Sequence, residues 1–274
     1  MFNLQKFCED CLSIREESPV IHNITNYVAM ELVANALLSA GASPIMSDAS
    51  DEMVEVVSAA SAIAINIGTL NQNQIKAARI AAAAAEQFGK PWVLDPVGAG
   101  FTTYRTKVAA DLAFNYHPTV IRGNASEILA LAVAGDDSIC SNAITKGVDS
   151  NIDSSSAIDA ATALSRKSGA VVSMSGPIDY ITDGEVVATI ENGDSIMPRI
   201  TALGCTATAL TAAFATVDSN PFRAALNAMA IMGVCGELAA AESSGTGSFK
   251  VRFLDILSLS VPEKIGQRVK SSVL

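Results

Sequence analysis

Residues 91–100 read PWVLDPVGAG, a short apolar run that stops on an acid, Asp95, and enters a turn made of proline and glycine. The same pattern returns at 119–128, TVIRGNASEI, where a run ends in Arg-Gly-Asn and a helix-like segment follows. SPIM (43–46), AIAIN (62–66) and AVVSMSG (170–176) are further runs of this kind. Continuous apolar stretches of such length suit strands of a parallel sheet that is covered on both faces. Helices are expected between them at 26–40, 51–60, 71–88, 125–134 and 154–168. SDASDEM (47–53) offers side chains suited to capping the second of these. YITDGEVVATI (180–190) reads instead as a hairpin turning at Asp183 and Gly184, and the segments 205–217, 221–242 and 247–259 read as helices. This order predicts one α/β domain over residues 1–274: a doubly wound, mostly parallel sheet with helices on both faces, an antiparallel edge and a helical C-terminal third. Ligands of such sheets bind beyond the carboxyl ends of the strands.

Composition narrows the function. The chain carries 18 Lys and Arg against 28 Asp and Glu, a net charge of −10, which argues against a nucleic-acid partner or an anionic membrane surface. Residues 200–217 are uncharged but rich in threonine, so they read as a buried helix and not as a membrane span. The first residues are charged and lack the apolar core of a signal peptide. Five scattered cysteines (Cys8, Cys11, Cys140, Cys205, Cys235) then point to reduced thiols in a cytoplasm. Cys8 and Cys11 are one helical turn apart without a second pair, and only two histidines are present, so a zinc site is not expected.

The chemistry-bearing residues fall where the strands end. Asp95 and Glu127 sit after neighbouring strands, where they could hold Mg²⁺ or, alternatively, order a turn and complement a helix dipole. Asn124 or Ser126 could cap the helix at 125. TALGC (201–205) is a small-residue loop opening a helix, which presents free backbone N–H groups to an anion. It is not a Walker loop, and GAG (98–100) is too short for a dinucleotide fingerprint. Cys205 stands in the first turn of that helix, where the dipole lowers a thiol pKa and a nearby polyphosphate raises it. A cysteine nucleophile would want a histidine partner, and the chain offers only His22 and His117.

Taken together, HNITNYVAMELVANALLSAGASPIM, NIGTL, DPVGAG, IRGNASEI and GC after the hairpin resemble the hydroxyethylthiazole kinases, in order over about 20–250. The resemblance implies a ribokinase-like fold, ATP and Mg²⁺, a small thiazole alcohol as acceptor, and a homotrimer with its sites between subunits. Asn26, Met46 and Gly68 match thiazole-contacting positions. Arg122 and Ser175 match ATP-contacting ones, and Asp95 and Glu127 match the acidic pair near Mg²⁺ and the phosphates. In the anion loop the resemblance puts Ala202 on the substrate side and Gly204 on the ATP side. Cys205 stands where many ribokinase-like enzymes have an aspartate base. Ala202 departs from the pattern, because the family usually has glycine there; alanine serves if its φ is negative and is strained if it is positive. By itself HNITN could simply fix a turn and cap the helix expected from 26. The rival activities are a hydroxymethylpyrimidine-type kinase, an ADP-dependent dehydratase of hydrated nicotinamide cofactors and an acyl-transferase built on Cys205.

Overall fold

The computed structural model describes residues 2–135 and 154–274; Cys140 lies outside them. A nine-stranded sheet has the order β2-β1-β3-β4-β5-β6-β7-β8-β9. The strands are β1 (Val20–Ile24), β2 (Ser43–Met46), β3 (Ala62–Asn66), β4 (Trp92–Asp95), β5 (Val120–Asn124), β6 (Val171–Ser175), β7 (Asp179–Thr182), β8 (Val187–Ile190) and β9 (Ser271–Val273). From β2 across to β6 neighbouring strands are parallel, and β7, β8 and β9 add the antiparallel edge. The hairpin turns at Asp183 and Gly184 as expected.

Because side chains alternate across a strand, each strand feeds two cores. On one face Ile63, Ile65, Leu94, Ile121 and Val172 pack with Ala78, Ala81, Leu112 and Leu131. The helices there are α3 (Met53–Ala59), α4 (Gln72–Gln87), α5 (Thr103–Asn115), α6 (Ala125–Gly135) and α7 (Ser154–Ser168). The other face is covered by α1 (Leu4–Glu17), α2 (Met30–Ala40), α8 (Leu203–Val217), α9 (Pro221–Ala241), α10 (Thr246–Leu259) and the short α11 (Pro262–Gly266). There Ala62, Ala64 and Val93 meet Ala207, Leu210 and Phe214. Small residues on both sides let α8 lie close over β3 and β4. Its N-terminal turn is thereby brought to the carboxyl ends of those two strands.

Some local expectations are corrected. HNITN is not a helix cap: Val20–Ile24 is a strand inside the sheet, residues 25–29 turn, and α2 starts at Met30 with no side-chain cap. His22 and Asn23 are buried there, so polar residues interrupt the apolar run that marks the other strands. Likewise α3 has Glu52 at its cap position without a side-chain cap bond, and Ser47 donates to the Glu52 carboxylate. The helix α5 and the edge strand β9 were not expected. Cys8 and Cys11 are unpaired thiols on α1, Cys11 buried, and no group of three or more His, Cys, Asp or Glu among the described residues is arranged to hold a metal. Among those residues one helix, α9, is long and apolar enough to cross a membrane, and 78% of that stretch is buried in the fold. It is a core helix, whereas the uncharged stretch around α8 is shorter.

Candidate active site

The residues after the parallel strands converge on the first turns of α8. Asn66, the last residue of β3, donates from Nδ2 to Asp95 Oδ2 (2.6 Å) at the end of β4 and to Cys205 Sγ (3.2 Å) on α8. Its Oδ1 accepts from the Gly68 N–H (2.9 Å) and from Asn26 Nδ2 (3.0 Å). Asn26 Nδ2 also donates to Cys205 Sγ (3.1 Å). One helical turn after Cys205, Thr208 donates from Oγ1 to Asp95 Oδ2 (2.8 Å). Gly68 must be glycine because a Cβ there would lie 2.8 Å from that of Asn26. Arg105 pins the surrounding loops, donating from Nη1 to the carbonyls of Ile67 (2.9 Å) and Val97 (2.9 Å) and from Nη2 to that of Gly68 (2.8 Å).

The electrostatics follow from burial. Asp95 is 3% exposed, and loss of water pushes its carboxyl up to about 6; Arg122 opposes this, Glu127 adds to it, and the Thr208 and Asn66 bonds pull it back. Burial likewise raises the Cys205 thiol to about 11, with the Asp95 charge pushing the same way. The amides of Asn26 and Asn66 and the charge of Arg122 pull against that rise without reversing it. The lowering expected from the helix terminus therefore loses to desolvation. Asn26 and Asn66 are the side chains that bond to the sulfur, whereas His22 lies in β1 with its Nε2 on the Ser47 carbonyl (3.0 Å). The nucleophile-and-histidine arrangement of an acyl-transferase is not built.

Arg122, in β5, is 5% exposed and its Nε has no hydrogen-bond partner. Its Nη1 lies 3.5 Å from where a Cβ would stand on Gly204. A buried cation with a spare donor beside the open N-terminus of a helix is an arrangement that can receive an anion. Asp179, at the start of β7, accepts from the Gly176 N–H (3.1 Å). Burial pushes its carboxyl up to about 7, against the pull of that N–H and of Arg122.

The comparisons with known proteins bear on this geometry. Residues 12–263 match the hydroxyethylthiazole kinase family. A hydroxyethylthiazole kinase of Nitratidesulfovibrio vulgaris (strain DSM 19637 / Miyazaki F) is 46% identical over 258 residues, 94% of each chain. One of Syntrophus aciditrophicus is 47% identical over 258 residues, covering 94% of this chain and 93% of that one. The solved hydroxyethylthiazole kinase of Pyrococcus horikoshii OT3 superposes with a TM-score of 0.89 at 34% identity, covering 98% of this chain and 99% of the other. The chain belongs to the hydroxyethylthiazole kinase family. A Staphylococcus aureus pyridoxal kinase in complex with ADP, 16% identical with a TM-score of 0.57 over 80% of this chain and 87% of that one, shares the ribokinase-like fold.

Against the hydroxyethylthiazole kinase pattern, the structure brings Asn26, Gly68, Asp95, Arg122, Gly204 and Cys205 into one cluster. Met46 ends β2, in register with Asn23, and packs half-buried against the same core as Ala202 and Cys205. Ser175 ends β6 in register with Asn124, its hydroxyl on the Gly123 carbonyl (3.3 Å). Asn124 and Glu127 form a reciprocal cap on α6: the Glu127 N–H donates to Asn124 Oδ1 (2.9 Å), and the Asn124 N–H to Glu127 Oε2 (2.9 Å). Glu127 Oε1 also takes the Gly98 N–H (2.8 Å), so Glu127 has structural work besides any phosphate-side role. Ala202 has φ +74°, the left-handed region, and is the strained alternative of the two.

Sequence reasoning did not single out Asn66, Thr208, Arg105 or Asp179. Asn66 had a signal, being the polar terminus of an apolar strand, and Thr208 had one in its spacing of one helical turn from Cys205.

Proposed function

We propose that this chain transfers the γ-phosphoryl group of ATP to the primary alcohol of 4-methyl-5-(2-hydroxyethyl)thiazole, a salvage step toward thiamine, with Mg²⁺ and in the cytoplasm. The observation that carries the reading is the juxtaposition of a buried, partly unpartnered Arg122 with Gly204 and Cys205 at the start of α8, in a chain of this family. Phosphoryl transfer has a loose transition state, so positioning and charge stabilisation outweigh base strength. Arg122 and the backbone N–H groups around Ala202 and Gly204 take the anionic group. Cys205, protonated at neutral pH with its pKa near 11, orients the acceptor hydroxyl and does not remove its proton in the resting enzyme.

The donor set fits Mg²⁺ bound through a nucleotide. That ion needs only one or two carboxylates besides water and substrate phosphates, and Asp95 and Glu127 are electrostatically linked at adjacent strand ends. When bound, it neutralises phosphate charge. Ser175, at the end of β6 beside Asn124 on the neighbouring strand, belongs to the nucleotide side; Asn26, Met46, Gly68 and Ala202 belong to the thiazole side.

A cleft of about 600 Å³, large enough for a small alcohol, is lined among others by Tyr27, the residue after Asn26, and by Asp48, Asp51 and Asn71. Tyr27 on this lining, Tyr104, which is hydrogen-bonded to Gln72 of the lining, and Val28 and Phe101 are exposed. Exposed apolar side chains suit a surface that is covered, as the homotrimer with sites at subunit interfaces requires.

The test is ADP formation by purified protein with ATP and Mg²⁺, comparing hydroxyethylthiazole, hydroxymethylpyrimidine and no acceptor. ADP and a phosphorylated thiazole in the first mixture alone are expected. Turnover confined to the pyrimidine would reassign the chain to a neighbouring kinase. Silence from folded, ATP-binding protein would favour the dehydratase.

A further inference from the structure

Asn66 is chemically saturated. An amide side chain has two N–H donors and one carbonyl acceptor with two lone pairs, and all four are in use here: Asp95 and Cys205 on the donor side, Gly68 and Asn26 on the acceptor side. The orientation is forced, because the Gly68 backbone N–H can only donate and so selects the amide oxygen. Once that oxygen is placed, Asn26 must turn its own NH₂ toward it, and its second N–H reaches the sulfur. The backbone of one residue, Gly68, thereby sets the direction of two side chains. Both present N–H groups to Cys205 Sγ.

A thiol sulfur that accepts from two donors has its proton left over, and among the described residues none accepts from the Cys205 S–H. We propose that Asn66 is a positioning residue for phosphoryl transfer: bridging Cys205 to Asp95 and locking Asn26, it aims the S–H at the acceptor oxygen while keeping the thiol at a fixed distance from the carboxylate. The assignment rests on the phosphoryl-transfer reading. It places Asn66 outside the set that touches substrate, and acting through Cys205 and Asp95. Thr208 holds Asp95 from the other side, so the carboxylate stays tethered when Asn66 is removed, and the Cys205 half of the bridge can be isolated.

The experiment is a double-mutant cycle. Steady-state kcat, and KM for ATP and for the thiazole alcohol, are measured for wild type, Asn66→Ala, Cys205→Ala and the double variant. Thermal melts confirm that each protein is folded. Asn66→Ala is expected to lower kcat about 5- to 20-fold, up to the loss expected for Cys205→Ala, with KM for ATP within about threefold of wild type, because misplacing a reacting group is costly without touching the nucleotide. The double variant is expected within about threefold of Asn66→Ala alone, since Cys205 has no aimed proton to lose once its bridge is gone. Losses that multiply, or a kcat unchanged in Asn66→Ala, overturn the assignment. If Asn66→Ala does not fold, Asn66→Asp keeps the length and the acceptor atom but offers at most one proton where the amide offers two. A kcat loss at retained ATP KM supports the proposal in that variant also, and wild-type kcat overturns it. Wild-type protein that forms no thiazole phosphate defeats the underlying reading instead, and that result is separate from both.

Discussion

The two ends of α8 each hold a buried aspartate, and they treat it in opposite ways. At the C-terminal end Asp218 sits where the helix dipole disfavours an anion. Burial alone would raise its pKa, but Arg223 reaches it with two bonds (Nε to Oδ2 2.8 Å, Nη2 to Oδ1 2.7 Å), the Asn220 N–H adds a third, and the carboxyl is held below its ordinary value. At the N-terminal end Asp95 receives only neutral donors, Asn66 and Thr208, and its pKa rises to about 6. The nearby cation, Arg122, keeps a buried Nε without a partner. One end is a closed ion pair, which suits a joint between α8 and α9. The other holds charge that its own side chains leave incompletely compensated, as a site awaiting a charged ligand must.

The sharpest way to break this contrast is to neutralise the poised carboxylate. Asp95→Asn is expected to cut kcat/KM by about 100- to 1,000-fold, as loss of a preorganised charge does, while making the fold more stable. The sign follows from linkage. The folded pKa, about 6, lies above the unfolded value near 4. Ionised Asp95 therefore costs stability above about pH 6, and the cost disappears as pH falls toward 4. Denaturant melts should show Asp95→Asn stabilised by about 1–3 kcal/mol at pH 8, with the gain vanishing toward pH 4. A variant destabilised at pH 8 would mean that Asp95 is structural.

At the other end, Arg223→Ala should leave turnover per folded molecule unchanged and cost about 1–2 kcal/mol at pH 7, discounted for the partial exposure of the arginine. The depressed pKa of Asp218 makes that stabilisation present above about pH 4 and lost as pH falls through the folded value. Urea titrations at pH 7 and pH 3 check both the size and the direction. The smallest effect is expected at Ala202, the residue that precedes α8. Ala202→Gly removes left-handed strain at the cost of chain entropy, so it should stabilise by at most about 1 kcal/mol, with KM for the thiazole within about threefold. A destabilised Ala202→Gly would show that alanine is accommodated there without strain.

Much of this was legible before the fold. The apolar runs 91–95, 119–123 and 170–176, with polar or glycine ends, announced a parallel sheet and located its functional edge, because such runs are what a sheet buried on both faces requires. The β1 strand was hidden because His22 and Asn23 break the run yet are buried. The α5 helix was hidden because Val108, Ala109, Leu112 and Ala113 form a thin buried stripe among charged neighbours. Within the site, Cys205, Asp95 and Arg122 stood out by chemistry. Asn66 and Thr208 did not, since an amide and a hydroxyl acquire a role only when β3 aligns Asn66 with Asp95 and α8 settles above them. The rise in the Cys205 pKa was also illegible, because burial is a property of the folded site.

The most direct test of the poised end is a comparison of wild type, Cys205→Ala and Cys205→Asp in thiazole phosphorylation at saturating ATP and Mg²⁺. Orientation by a neutral thiol predicts that Cys205→Ala loses about 5- to 20-fold in kcat, and that Cys205→Asp keeps or exceeds wild-type turnover because a buried carboxylate between two amides and Arg122 supplies a better base. Complete inactivity of a folded, ATP-binding Cys205→Ala protein would contradict the account and make the sulfur indispensable to the chemistry.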